Sequence, residues 1–101
     1  MKIEYERTGG FAGMRFATQV DTASLPRTDS DALRKLITES KFFDLPSAIP
    51  SAGADGFMYK LTVEEKRRRH TIEVGDSAIP ESLRPLVERL HQFARRHPPS
   101  S

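Results

Sequence analysis

The sequence predicts an α+β fold: a four-stranded antiparallel sheet with two helices packed on one face, in the order ββαββα. Three observations lead there. Apolar residues alternate along four short runs, the spacing of a strand with one wet face. Two further stretches repeat their apolar residues every three or four positions, the spacing of an amphipathic helix. Glycines or charged turns join the alternating runs in pairs.

Taken in order, residues 2–8 set Ile3 and Tyr5 against Lys2, Glu4 and Glu6, and residues 14–20 set Met14, Phe16, Thr18 and Val20 against Arg15, Ala17 and Gln19. Gly9-Gly10-Phe11-Ala12-Gly13 joins them, longer and looser than the tightest hairpin turn. Asp21 to Thr28 is a linker containing Pro26. Thr28 with Asp31 then resembles a capping box opening the first helix, whose stripe is Leu33, Leu36, Ile37, Ser40 and Phe43. Residues 44–56 carry two prolines, two glycines and no periodicity, and read as a long connection of the kind that is often functional. Phe57, Tyr59, Leu61 and Val63, then His70, Ile72 and Val74, form a second hairpin about a charged turn, Glu65 to Arg69. Gly75-Asp76-Ser77 ends it. Leu83, Leu86, Val87, Leu90, Phe93 and Ala94 mark the second helix, and Pro85 marks its true start. Residues 1–97 are expected to be a single domain and 98–101 a frayed tail.

With 101 residues and 11.4 kDa, one modest core is expected, burying roughly two thirds of the unfolded surface. The absence of Cys excludes disulfide scaffolds, thiolate zinc sites and cysteine nucleophiles. No stretch approaches the ~20 apolar residues that span a bilayer, and the acidic N-terminal residues do not suit a signal peptide. The expected location is therefore cytoplasmic, with no membrane partner.

The net charge is +2, from 16 basic and 14 acidic residues. The excess lies in the second half, in Lys66-Arg67-Arg68-Arg69 and the arginines of the second helix. Glu64 and Glu65 dilute the first cluster, and a nucleic-acid binder needs a broader basic face. A small nucleic-acid or anionic-partner adaptor using Lys66–Arg69 is thus the alternative reading. Phosphate-loop, zinc-protease and nucleophile-elbow motifs are all missing, no cofactor is implied, and the chain is not expected to be an enzyme.

If the first helix runs antiparallel to the strands, three segments meet at one end of the sheet: Gly9–Gly13, Ala48–Gly56 and Gly75–Ala78. Loops converging on a rigid sheet commonly bind partners. Phe11 stands out there, flanked by small residues and off either strand's alternation.

The stretch Arg7-Thr8-Gly9-Gly10-Phe11-Ala12-Gly13-Met14-Arg15 is similar to the opening of the emfourin family, small bacterial proteins that inhibit protealysin and other thermolysin-like zinc metalloproteases. Leu25-Pro26, Phe42-Phe43-Asp44-Leu45-Pro46, Asp55-Gly56-Phe57-Met58-Tyr59-Lys60-Leu61-Thr62-Val63 and Ile79-Pro80 extend the resemblance over about residues 2–94. It implies a thermolysin-like protease as partner, with a loop aspartate on the partner's catalytic zinc and apolar loop residues in its substrate pocket. Asp55 is the favoured zinc ligand, with Asp76 and Asp44 as alternatives. Gly10, Phe11, Ala12, Ala48, Ile49, Phe57 and Asp76 are the other expected contacts. The free protein is expected to be a monomer.

Overall fold

A computed structural model of the chain describes residues 1–9, 14–49 and 56–96. Its elements are β1 (Lys2–Gly9), β2 (Met14–Asp21), α1 (Arg27–Ser40), β3 (Ala48–Ile49), β4 (Phe57–Glu65), β5 (Arg68–Gly75) and α2 (Arg84–Arg96).

The sheet is five-stranded and mixed, in the order β2-β1-β4-β5-β3, which corrects the four-stranded antiparallel sheet expected from the sequence. The added strand is β3. It lies parallel to β5, with Ala48 beside Glu73 and Ile49 beside Val74. The Glu73 N–H donates to the carbonyl of Ser47 at 2.9 Å. This strand is short and held by backbone groups, so it leaves no alternation for a sequence pattern to register.

The other strands pair antiparallel. β1 contacts β2 on one side and β4 on the other, with Tyr5 between Thr18 and Leu61. The odd-numbered side chains of β1 and β4 and the even-numbered ones of β5 share one face because strand side chains alternate. Ile3, Tyr5, Leu61, Val63, Ile72 and Val74 join Leu33 and Ile37 of α1 and Leu86, Leu90 and Phe93 of α2 in a single core. Most of these are fully buried, and burying a side chain of this size contributes about 1.5–3 kcal/mol. On the other face Thr62, buried among polar neighbours, shares a 2.9 Å hydrogen bond with Thr71 across the β4–β5 ladder.

Boundaries depart from the sequence reading at both ends of α1, which stops at Ser40 short of Phe43, and at the β4–β5 turn. α1 starts at Arg27, one residue before Thr28, with Pro26 at its N-cap and no side-chain cap, so Thr28 and Asp31 form no capping box. The Ser30 N–H reaches the Pro26 carbonyl at 3.0 Å and closes the first turn. At its far end Lys41 lies in the left-handed region (φ 53°), its N–H directed at the carbonyls of Ile37 and Thr38. The β4–β5 strands also run further than expected and leave only Lys66 and Arg67 between them, so Arg68 and Arg69 belong to β5. So tight a hairpin needs positive φ, which Lys66 supplies at 54°. Pro85 falls in the first turn of α2, where its missing N–H removes no internal hydrogen bond.

A left-handed lysine is strained relative to glycine by about 1 kcal/mol. Lys41→Gly should therefore raise the melting temperature by roughly 4–8 °C in a domain of this size, provided the lost side chain contributes little else. Thermal denaturation followed by circular dichroism checks this, and an unchanged or lower midpoint contradicts it.

Candidate functional site

Strand register sets which loop ends meet. Gly9, the last residue of β1, lies between Met14 of β2 and Phe57 of β4. Met58 lies beside Gly75, the last residue of β5, and Ile49 beside Val74. The chain thus leaves or re-enters the sheet at Gly9, Met14, Ile49, Phe57 and Gly75, all along one end. The convergence expected from the sequence is present in these described flanks. It follows from β3 running parallel to β5 rather than from a simple return through α1.

Backbone proximity at this end imposes glycine. Gly9 has φ +115°, and a Cβ placed on it would lie 2.7 Å from the carbonyl oxygen of Gly56 and 3.4 Å from the Cα of Phe57. Only a residue without a side chain lets β1 end this close to the start of β4.

Beside Gly9, on the helix-bearing face, sits a cation–aromatic cluster. Arg7 is directly opposite Phe16 on β2 and Tyr59 on β4. Its guanidinium carbon lies 4.3 Å from the Phe57 ring centre and 5.6 Å from that of Phe16. The Tyr59 hydroxyl donates to Oδ1 of Asp76 at 3.5 Å, a long bond. Burial and the Asp76 charge raise the Tyr59 pKa, while the Arg7 guanidinium works against that rise.

His91 of α2 closes the cluster from above. Its Nδ1 is 3.0 Å from the Tyr5 hydroxyl and its ring centre 5.2 Å from that of Phe16. Burial and the nearby charges of Arg7 and Arg95 lower the His91 pKa, and burial raises that of Tyr5 well above its usual value. Both shifts favour the uncharged forms of ring and phenol, a pairing in which the hydroxyl can donate to Nδ1.

The residues singled out in the sequence fare differently. Gly10, Phe11, Ala12 and Asp55 lie outside the described residues. Ile49 and Phe57 are half-buried and packed against the core, so neither is a freely projecting anchor. Ala48 is exposed beside Ile49, and Asp76 is exposed just past the end of β5. Asp44 ends a 3-10 turn after α1, away from this edge. Sequence reasoning passed over Arg7, Phe16, Tyr59 and His91. One signal was present: Arg7 continues the apolar Ile3, Tyr5 side of β1, and a charge on that side needs a specific partner.

The basic turn lies at the opposite end, where Lys2 pairs with Glu64 and Glu65 with Arg68. There Arg68 stacks on Phe43, 4.1 Å from the ring centre, and Arg34 lies 3.8 Å from Glu65. Part of the basic surface is thus committed to intramolecular contacts. His70 faces the Leu45 carbonyl at 2.7 Å, which gives its imidazole a structural partner. Among the described residues no cluster of three or more His, Asp or Glu could hold a metal ion, and no helix is long and apolar enough to cross a membrane.

No curated protein and no solved structure gives a significant match to the chain. The family model named Emfourin does match, over residues 5–91, a span that takes in both hairpins, α1 and the first half of α2. A match over nearly the whole length establishes that this protein belongs to the Emfourin family.

Proposed function

We propose that the protein inhibits a thermolysin-like zinc metalloprotease by docking the end of the sheet at Gly9, Ile49, Phe57 and Gly75 against the active site. Family membership is consistent with a metalloprotease-inhibitor role. The observation that carries the finer reading is the meeting of these strand ends along one edge, since an inhibitor of a cleft needs several short segments presented together on a rigid base.

The chemistry is that of ligand competition. A catalytic zinc is held by three protein ligands and keeps a fourth position for the attacking water. A loop carboxylate in that position displaces the water and adds a charged ligand, and Asp55 is assigned this part. Phe11 is assigned the apolar pocket beside the scissile bond, where burial contributes about 25 cal/mol per Å². The chain acts as inhibitor rather than enzyme.

Titration of a thermolysin-like protease with the purified protein, read by cleavage of a quenched fluorescent peptide, tests the proposal. Activity should fall linearly to near zero at one inhibitor per enzyme. Full activity across several such proteases at micromolar excess would falsify it.

A further inference from the structure

We infer that Arg7 is the positioning residue of the partner-facing edge: clamped between Phe16 and Phe57, its guanidinium holds the ends of β1, β2 and β4 in the arrangement that the partner recognises. This rests on the inhibitor reading above.

The geometry is specific to this position. Arg7 projects from the centre of a three-strand group, with Phe16 directly across on one side and Tyr59 on the other. Phe57, diagonal to it, is the closest ring, at 4.3 Å. Phe57 is also the residue whose Cα would lie 3.4 Å from a Cβ on Gly9. One planar cation therefore bears on the first residue of β4 at the point where β1 ends. Through Tyr59 and its bond to Asp76, the same cluster reaches the segment after β5. An arginine suits this task because its flat guanidinium stacks on rings while its N–H groups remain free in the plane; a lysine offers only a point charge.

The molecule contains its own control. Arg68 stacks on Phe43 at the other end of the sheet at nearly the same distance, 4.1 Å from the ring centre. The Arg68 stack is the more exposed of the two and should contribute less stability, but it shares the chemistry, and only Arg7 adjoins the partner-facing edge.

The experiment compares Arg7→Gln, Arg7→Lys and Arg68→Gln with the wild type in three measurements: inhibition constant against a thermolysin-like protease, melting temperature, and amide exchange at Thr8, Gly9, Phe57 and Met58. Arg7→Gln should raise the inhibition constant at least tenfold and speed exchange at those amides at least tenfold. Arg68→Gln should lower the melting temperature less, since its stack is exposed, and leave both within twofold of wild type. Arg7→Lys should behave as Arg7→Gln, since it keeps the charge and loses the plane.

Inhibition within twofold of wild type for Arg7→Gln overturns the inference, as does equal weakening by Arg68→Gln. Full rescue by Arg7→Lys overturns it too, because that would make charge, not stacking, the property in use. If the wild type inhibits nothing, the inhibitor reading fails. The amide exchange then still decides whether Arg7 orders these strand ends.

Discussion

Gly9→Ala is expected to cost about 2 kcal/mol of stability, within the range for a strained backbone position, and to weaken inhibition far more than its effect on folding explains. Two terms add. At φ +115° an L-residue is strained whatever space surrounds it. The new Cβ would also meet the Gly56 carbonyl oxygen at 2.7 Å, closer than such atoms approach in proteins. Backbone stands on the other side of that contact, so no side-chain rotation relieves it. Either β1 loses its last pair with β4 or the start of β4 moves outward.

The melting temperature should fall by roughly 8–16 °C, given the usual conversion for a domain of about 100 residues. The functional loss follows from position rather than from unfolding. Gly56 immediately precedes Phe57, and Asp55 immediately precedes Gly56. A displaced Gly56 therefore moves the attachment point of the assigned zinc ligand. Well below its melting temperature, Gly9→Ala should need at least tenfold more protein for half inhibition. Circular dichroism together with the protease titration checks both halves; an unchanged melting temperature would contradict the contact itself.

The legible parts of this fold are those with a repeating apolar pattern. The β1–β2 and β4–β5 hairpins follow from alternation, and the α2 start at Arg84, one residue before Pro85, follows from proline chemistry. What escaped the sequence is what depends on backbone alone. β3 binds β5 through main-chain groups around Ser47 and Ile49, and neither periodicity nor composition marks such a strand. The early α1 start escaped because Pro26 caps through its carbonyl, with no side chain to betray it. At the site, glycines announced a close approach of two backbone segments but not which two. Arg7 was hidden because its partners lie on two other strands, and only the register brings Phe16 of β2 and Phe57 and Tyr59 of β4 to one guanidinium.

The largest functional effect should come from the assigned zinc ligand. Asp55→Ala is expected to raise the inhibition constant by about two to three orders of magnitude, while Asp76→Ala changes it severalfold at most. A carboxylate on a metal is a charged bond in a water-excluded site, and breaking a buried charge pairing of this kind costs about 3–5 kcal/mol. Asp55 is one residue from Gly56 at the head of β4, and β4 is the middle strand of the five. Asp76 follows β5, nearer the sheet margin, and its Oδ1 already faces the Tyr59 hydroxyl. Asp55→Asn separates charge from shape, since an amide fills the same space but makes a poor zinc ligand. It should behave nearly as Asp55→Ala. Both variants should melt within a few degrees of wild type. A reversed order, with Asp76→Ala the damaging change, would move the zinc ligand to the β5 side of the edge; small effects from both would leave apolar contacts, and no carboxylate, as the basis of inhibition.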